Sequence, residues 1–326
     1  MTAAIRVRHL WHRFGAFEVL RDVSFEVGRG EIFGFIGPNG AGKTTTIRVM
    51  ATLLEPTAGR VEIEGVDVTL DPDSVRRALG YMPDHAGIYE RVTVREYLEF
   101  FADAYGVKGA SVVDAVLELT DLGRITDKVV ATMSKGQKQR LQLARILLHD
   151  PSVLILDEPA SDLDPRARIE MRNLLMELRS LGKTILLSSH ILTELSDVCT
   201  SVAILERGQI VVAGPIADIA ARFEAQRAGV AVGAAHTEAA PRDRRRVKLR
   251  TLGAPEAAAD ASRAAAGVVD VEVSGGLLLV TLAGGDALVA GLVEHLVRSG
   301  VGVVGVEQER NELERIFLEA TKGDMH

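Results

Sequence analysis

Within residues 1–65 the apolar positions alternate with polar ones, first at Ile5 and Val7, then at Val23, Phe25 and Val27, then at Val61 and Ile63, with breaks at Gly28–Gly30 and Gly65. A period of two with one apolar face predicts half-buried antiparallel strands. A different pattern interrupts this region at Ile32-Phe33-Gly34-Phe35-Ile36, and returns at Val153–Leu156 and Thr184–Leu187. Short apolar runs without alternation predict strands covered on both faces, as in a parallel sheet layered by helices. Helical spacing fills the intervals, at Tyr97, Phe100, Phe101 and Ala104 and at Leu174, Leu175 and Leu178, with a further helix expected over Thr45–Leu54. Val202–Val212 reads as a hairpin. The first part of the chain is therefore α/β with an antiparallel portion.

Residues 228–240 contain six alanines in thirteen positions and no apolar side chain larger than valine, the composition of a linker or weak helix. Beyond it the pattern gives a strand at Val247–Arg250, a helix at Pro255–Ala266, strands at Val269–Val273 and Leu277–Leu282, a helix at Asp286–Arg298 and a strand at Val301–Val306. The order β-α-β-β-α-β predicts a small α+β ferredoxin-like unit, with Leu288, Leu292 and Leu296 on one helix face. A last helix is expected to open at Asn311, with Glu314 three residues on, and to bury Leu313, Ile316, Phe317 and Ala320 before Gly323. The expected division is 1–220, a linker at 221–246, and an accessory unit at 247–326.

At 326 residues the chain exceeds a typical single domain. Lys plus Arg number 38 against 45 Asp plus Glu, and this net charge of −7 argues against a protein that coats nucleic acid. No apolar run reaches the roughly 18 residues of a bilayer span. One cysteine, Cys199, excludes an internal disulfide, and Met1–Arg8 lacks a signal peptide's apolar core. A cytoplasmic location is the expectation.

The chemistry begins at Gly37-Pro38-Asn39-Gly40-Ala41-Gly42-Lys43-Thr44, which fits G-x-x-x-x-G-K-[ST] directly after a buried strand and before a helix. Its glycines let successive N–H groups turn inward on phosphate oxygens, and the helix N-terminus adds positive potential. Lys43 is expected at the β and γ phosphates, the Thr44 hydroxyl on Mg²⁺, and Thr45 beside it. Val153–Leu156 then ends in Asp157-Glu158-Pro159, two carboxylates at the edge where an α/β sheet presents ligands. Alternation sends them different ways, and the expected roles are Asp157 toward Mg²⁺ and Glu158 toward the attacking water.

With further segments the chain resembles the ATP-binding cassette (ABC) ATPases, whose core is a P-loop NTPase fold with an antiparallel β portion and a helical insert, here at about 85–140. Met133-Ser134-Lys135-Gly136-Gln137 resembles the family signature Leu-Ser-Gly-Gly-Gln. Ser161-Asp162-Leu163-Asp164 resembles its D-loop, Ser188-Ser189-His190 its switch-histidine loop, and Phe14-Gly15 the position of an adenine-stacking aromatic. The resemblance covers residues 5 to about 215. It implies a head-to-tail homodimer that sandwiches two ATP molecules, each held by the phosphate loop of one subunit and by Ser134, Gly136 and Gln137 of the other. It also implies that His190 bonds the γ phosphate and orients water. Read alone, the Ser134 segment is an ordinary helix N-cap.

Two positions depart from the family pattern. Asp84, after Tyr81-Met82-Pro83, stands where a Mg²⁺-contacting Gln is usual, and it is expected to ligate or water-bridge the metal. Lys135 replaces a signature glycine and is expected to be neutral. The segment Asn311–Thr321 resembles the ending of ABC-2 export ATPases. The expectation is an ATP hydrolase, peripheral on the inner membrane face, that docks through residues 85–105 on a separate ABC-2 permease and binds no nucleic acid. A non-transport ATPase acting on nucleic acid or ribosomes is the alternative, and a regulatory module with vestigial hydrolysis a third. Arg242-Asp243-Arg244-Arg245-Arg246 reads as a solvated junction.

Overall fold

The computed structural model describes residues 3–84, 87–195, 198–227, 245–253, 255–274 and 276–308. They belong to two compact units, one within residues 1–230 and one within residues 231–312. The first contains strands β1 (Ala3–Phe14), β2 (Phe17–Gly28), β3 (Ile32–Ile36), β4 (Ala58–Ile63), β5 (Val66–Asp67), β6 (Leu79–Met82), β7 (Val153–Asp157), β8 (Thr184–Ser189), β9 (Ser201–Glu206) and β10 (Gln209–Pro215). Its helices are α1 (Lys43–Met50), α2 (Pro72–Ala78), α3 (Val94–Ala104), α4 (Ala110–Leu119), α5 (Lys135–Leu147), α6 (Pro165–Ser180), α7 (Leu192–Leu195) and α8 (Ile216–Arg227).

The alternating strands form an antiparallel sheet in the order β2-β1-β4-β5, and the continuous apolar strands a second sheet in the order β10-β9-β3-β8-β7-β6. Within the second, β3 pairs in parallel with β8 and β9, and β7 with β6 and β8. The absence of alternation now has its reason. Ile32, Ile36, Leu154, Leu156, Ile185 and Leu187 join the core beneath α3, α5 and α6, while Phe33, Phe35, Val153, Ile155 and Leu186 pack toward α1 and the antiparallel sheet. Phe25 of β2 stacks on Phe33 and Phe35 at 5.6 and 5.3 Å, tying the sheets together. Each such buried side chain contributes about 2 kcal/mol.

Parallel pairing also fixes where chemistry sits. The segments that follow β3, β6, β7 and β8 all emerge at one sheet edge, the carboxyl end, where an α/β fold leaves a crevice. The helical insert begins at α3, whose N-terminus is closed by the reciprocal Thr93–Glu96 capping box.

The second unit holds β11 (Arg245–Thr251), α9 (Pro255–Arg263), β12 (Val268–Ser274), β13 (Leu277–Leu282), α10 (Asp286–Arg298) and β14 (Val303–Gln308). Its sheet runs β12-β13-β11-β14 with every pair antiparallel, the ferredoxin-like arrangement. Leu292 and Leu296 are fully buried and Leu288 packs beside them.

Several boundaries differ from the sequence reading. Helix α1 starts two residues early at Lys43 and stops at Met50, because Thr52 turns left-handed at φ 60°. Helix α9 ends at Arg263, short of Ala266. Strand β14 is displaced to Val303–Gln308, because Gly300 at φ 82° and the bond from Val301 N to Leu296 O still close α10. The stretch 221–246 is not all linker: α8 runs through Arg227 and β11 begins at Arg245. The helix expected from Asn311, residues 228–240 and Arg242–Arg244 lie outside the described residues.

Candidate nucleotide site

The phosphate loop leaves β3 at Gly37 and enters α1 at Lys43. Two glycines make the path possible. A Cβ on Gly37 would stand 2.3 Å from the Leu205 carbonyl oxygen, and Gly42 adopts φ 107°, closed to ordinary side chains. Gly42 is also the N-cap of α1, and no side chain bonds the first N–H groups of that helix. They remain free for an anion. Pro38, Asn39, Gly40 and Thr44 are exposed, Ala41 is buried, and Thr45 is half-buried.

Lys43 is buried, and its Nζ donates to the carbonyl oxygens of Gly37 at 2.7 Å and Pro38 at 3.4 Å. The side chain folds over the loop that carries it and holds a cation at its centre. Burial pushes this ammonium below the ordinary lysine value, against the opposing fields of Glu158 and Asp157. Its Nζ lies 3.7 Å from Glu158 Oε1.

Glu158 follows the last residue of β7 and adopts φ 52°, a left-handed conformation that turns its carboxylate away from that of Asp157. The other Glu158 oxygen, Oε2, is 2.9 Å from His190 Nδ1. A carboxylate accepts here, so Nδ1–H donates and Nε2 is left for a ligand. Lys43, Glu158 and His190, drawn from three separate segments of the chain, thus form one contiguous polar group.

Asp157 is buried, and Ser188 Oγ donates to its Oδ1 at 2.5 Å while accepting from Glu158 N at 3.0 Å. One hydroxyl on β8 therefore fixes both adjacent carboxylate residues, because the β7–β8 register sets Asp157 opposite Ser188. Sequence reasoning did not single out Ser188. Its only signal there was membership of Ser188-Ser189-His190, since register between distant strands is invisible along the chain.

Asp84, beyond β6, accepts a long hydrogen bond from Ser161 Oγ at 3.5 Å. It also lies near the partly buried Tyr81, whose hydroxyl is pushed up by burial first and by the negative charge of Asp157, with Arg48 opposing. Among the described residues no three His, Cys, Asp or Glu side chains converge on a ready cation cage. The donors present, the Asp157 carboxylate, the Thr44 hydroxyl and Asp84, fit an oxygen-seeking divalent ion completed by phosphate and water. Phe14 ends β1, is 53% exposed, and meets the buried His12 ring edge-on at 4.6 Å, an aromatic face open to a flat ligand.

The signature segment is a second surface. Ser134 caps α5: its Oγ accepts from Gln137 N at 3.3 Å, and Gln137 Oε1 accepts from Ser134 N at 3.1 Å. Gln137 Oε1 also takes a bond from Lys128 Nζ at 3.0 Å. Its carbonyl is thus used internally, while the Ser134 hydroxyl proton and Gly136 remain to meet a ligand. Lys135, the second departure from the family pattern, pairs with Asp162 at 2.7 Å.

The family model for the ABC transporter domain matches residues 20–161. The chain is 39% identical over 211 residues to the bacitracin transport ATP-binding protein BcrA of Bacillus licheniformis, covering 64% of this chain and 69% of that one. It is 33% identical over 324 residues to the daunorubicin resistance ATP-binding protein DrrA3 of Streptomyces coeruleorubidus, covering 98% and 96%.

The chain belongs to the ABC transporter ATP-binding proteins.

The solved structure of an ATP-binding subunit of an ABC transporter superposes with a TM-score of 0.62 at 34% identity, over 72% of this chain and 96% of that one. As an ABC ATPase the chain binds and hydrolyses ATP. The DrrA3 match extends through both units of this ABC subunit, whereas the BcrA match accounts for the first alone in length. No helix among the described residues is long and apolar enough to cross a membrane.

Proposed function

We propose that this ABC subunit hydrolyses Mg·ATP in a head-to-tail homodimer and drives export through a separate membrane permease. The observation that carries the reading is the Lys43–Glu158–His190 group at one sheet edge, beside the uncapped N-terminus of α1.

In this reading the 37–42 loop and α1 bind the phosphates of ATP, and Lys43 holds the β and γ oxygens at a cation already desolvated. Phe14 stacks on the adenine. Glu158 accepts hydrogen-bond donation from the attacking water and takes up its proton as the water oxygen bonds to the γ phosphorus and the bond from that phosphorus to the β–γ bridging oxygen breaks, leaving ADP, while His190 donates Nε2–H to a γ phosphate oxygen. Asp157, held by Ser188, together with Thr44 and Asp84, would hold Mg²⁺. When bound, that ion neutralises charge on the β and γ phosphates. Ser134 and Gly136 of a second copy close over the γ phosphate and exclude water.

The permease docks on an open groove of about 710 Å³ lined by Tyr89, Val92, Tyr97 and Phe100, with Glu90 and Glu96 among its polar residues. An apolar floor with a charged margin suits a short amphipathic segment. Relatives named for bacitracin transport and daunorubicin resistance support an exported small molecule, and the partner in this reading is an ABC-2 type permease at the inner membrane face.

The test is Glu158→Gln in the full chain, which keeps size and hydrogen bonding but removes the base. Turnover should fall by about two to three orders of magnitude with ATP binding retained. The tagged variant, pulled from detergent-solubilised membranes in Mg·ATP, should carry two copies of the chain and one integral membrane protein. Retained hydrolysis, or recovery with nucleic acid alone, overturns the proposal.

A further inference from the structure

The two positions at which the chain departs from the family motifs, Asp84 and Lys135, touch successive residues of one loop. Asp84 accepts from Ser161 at 3.5 Å, and Lys135 donates to Asp162 at 2.7 Å. That loop begins at Glu158. It is tightly wound, with Glu158 and Asp162 both left-handed at φ 52° and 55°, Ser161 N bonded to Glu158 O at 3.1 Å and Leu163 N to Ala160 O at 3.4 Å. Its far end is the N-cap of α6, where Asp164 accepts from Ala167 N at 2.9 Å.

Lys135 is an unfavourable choice for its own helix. It occupies the first position of α5, where the helix dipole opposes a cation, and Lys138 follows at i+3. Lys138 is directed to Glu90 at 2.8 Å instead. The local cost at Lys135 is answered by Asp162, outside the helix. An exposed pair of this kind is weak, with side chains 51% and 77% accessible. A weak, exposed contact suits a link that must adjust during each cycle.

We infer that Lys135 is a positioning residue: through Asp162 it fixes the 158–164 loop to the signature helix, so that closure of Ser134 and Gly136 on the nucleotide held by the partner subunit is transmitted to Glu158 of the same chain. The inference rests on the head-to-tail reading above. Each subunit's signature serves one nucleotide and its Glu158 the other, so this contact joins the two sites and makes their turnover cooperative.

The experiment uses the full chain with Lys135→Gln, Asp162→Asn, the double variant, and Lys135→Arg. Gln keeps helix propensity, and Asn tolerates the left-handed backbone at 162. Steady-state turnover against ATP concentration gives kcat and the Hill coefficient, and hydrogen exchange of the nucleotide-free protein reports on residues 159–163. Each single variant should lower kcat about threefold and bring the Hill coefficient toward one. The double variant should be no worse than either single, and Lys135→Arg should retain wild-type behaviour. Exchange at 159–163 should rise about threefold in both singles, whereas Lys138→Gln, which breaks the neighbouring tether, should leave it unchanged. Unaltered exchange overturns the contact. Raised exchange with an unaltered Hill coefficient, or single effects that multiply in the double variant, overturns the coupling. A wild-type chain without turnover strikes the underlying reading and the coupling with it, and the exchange measurement then still decides the contact.

Discussion

Two lysines occupy the same formal place in this molecule and do different physical work. Lys43 and Lys135 are each the first residue of a helix, and each stands in a segment that resembles a phosphate-binding motif. Lys43 is buried, follows a glycine N-cap with no side-chain cap, and is held by two carbonyls of its own loop. Lys135 is exposed, follows a serine that takes part in a full capping box, and reaches sideways to another loop. The uncapped helix keeps its N–H groups and a preorganised cation for a ligand. The capped helix has used part of that capacity on itself, and what it retains is suited to completing a site that another subunit begins.

The difference is broken most severely at Lys43. Lys43→Ala removes the buried cation and the loop's central donor. Phosphate release should fall at least about 100-fold and ATP affinity about tenfold or more by calorimetry. Hydrolysis within a few-fold of wild type would mean that the loop alone supplies the phosphate site.

A smaller effect separates positioning from direct contact. Ser188→Ala removes the donor to buried Asp157 and the acceptor for Glu158 N together. The unpaired carboxylate should cost about 1–3 kcal/mol of stability in denaturant unfolding, and the loosened pair should lower kcat about tenfold at saturating Mg²⁺. A normal kcat in the variant would place the control of both carboxylates elsewhere.

The smallest change is at the margin of the site. Asp84→Asn keeps shape and deletes one charge. The Mg²⁺ concentration for half-maximal turnover should rise about threefold with ATP affinity near wild type. If Mg²⁺ dependence, ATP affinity and rate are all unaltered, Asp84 does not serve the metal.

Much of the architecture was legible before folding, and unevenly so. Alternation in residues 1–65 marked the antiparallel strands, and the apolar runs marked β3, β7 and β8, because both patterns record which faces meet water. The β-α-β-β-α-β order was readable for the same reason. Boundaries were less so. The closure of α10 by Gly300 and Val301 moved β14 by two residues, a local hydrogen-bonding choice that apolar periodicity does not register. In the site, motif residues Lys43, Asp157, Glu158 and His190 were identifiable by type and context. Ser188, Lys128 and the Lys135–Asp162 pair were not, since each depends on a contact between segments distant along the chain.

Sequence alone determined the strands, the helices, the glycines that permit a phosphate loop, and the residue types that could act there. These follow from local sterics and from the free energy of burying apolar surface, both of which leave a periodic trace. Tertiary structure decided which of those residues meet. Parallel pairing of β3, β8 and β7 brought Lys43, His190 and Glu158 to one edge, and the β7–β8 register set Ser188 opposite Asp157. It also placed Lys135 at the start of α5 against Asp162 of the 158–164 loop, because an ion pair depends on distance in space, to which the order of residues is indifferent.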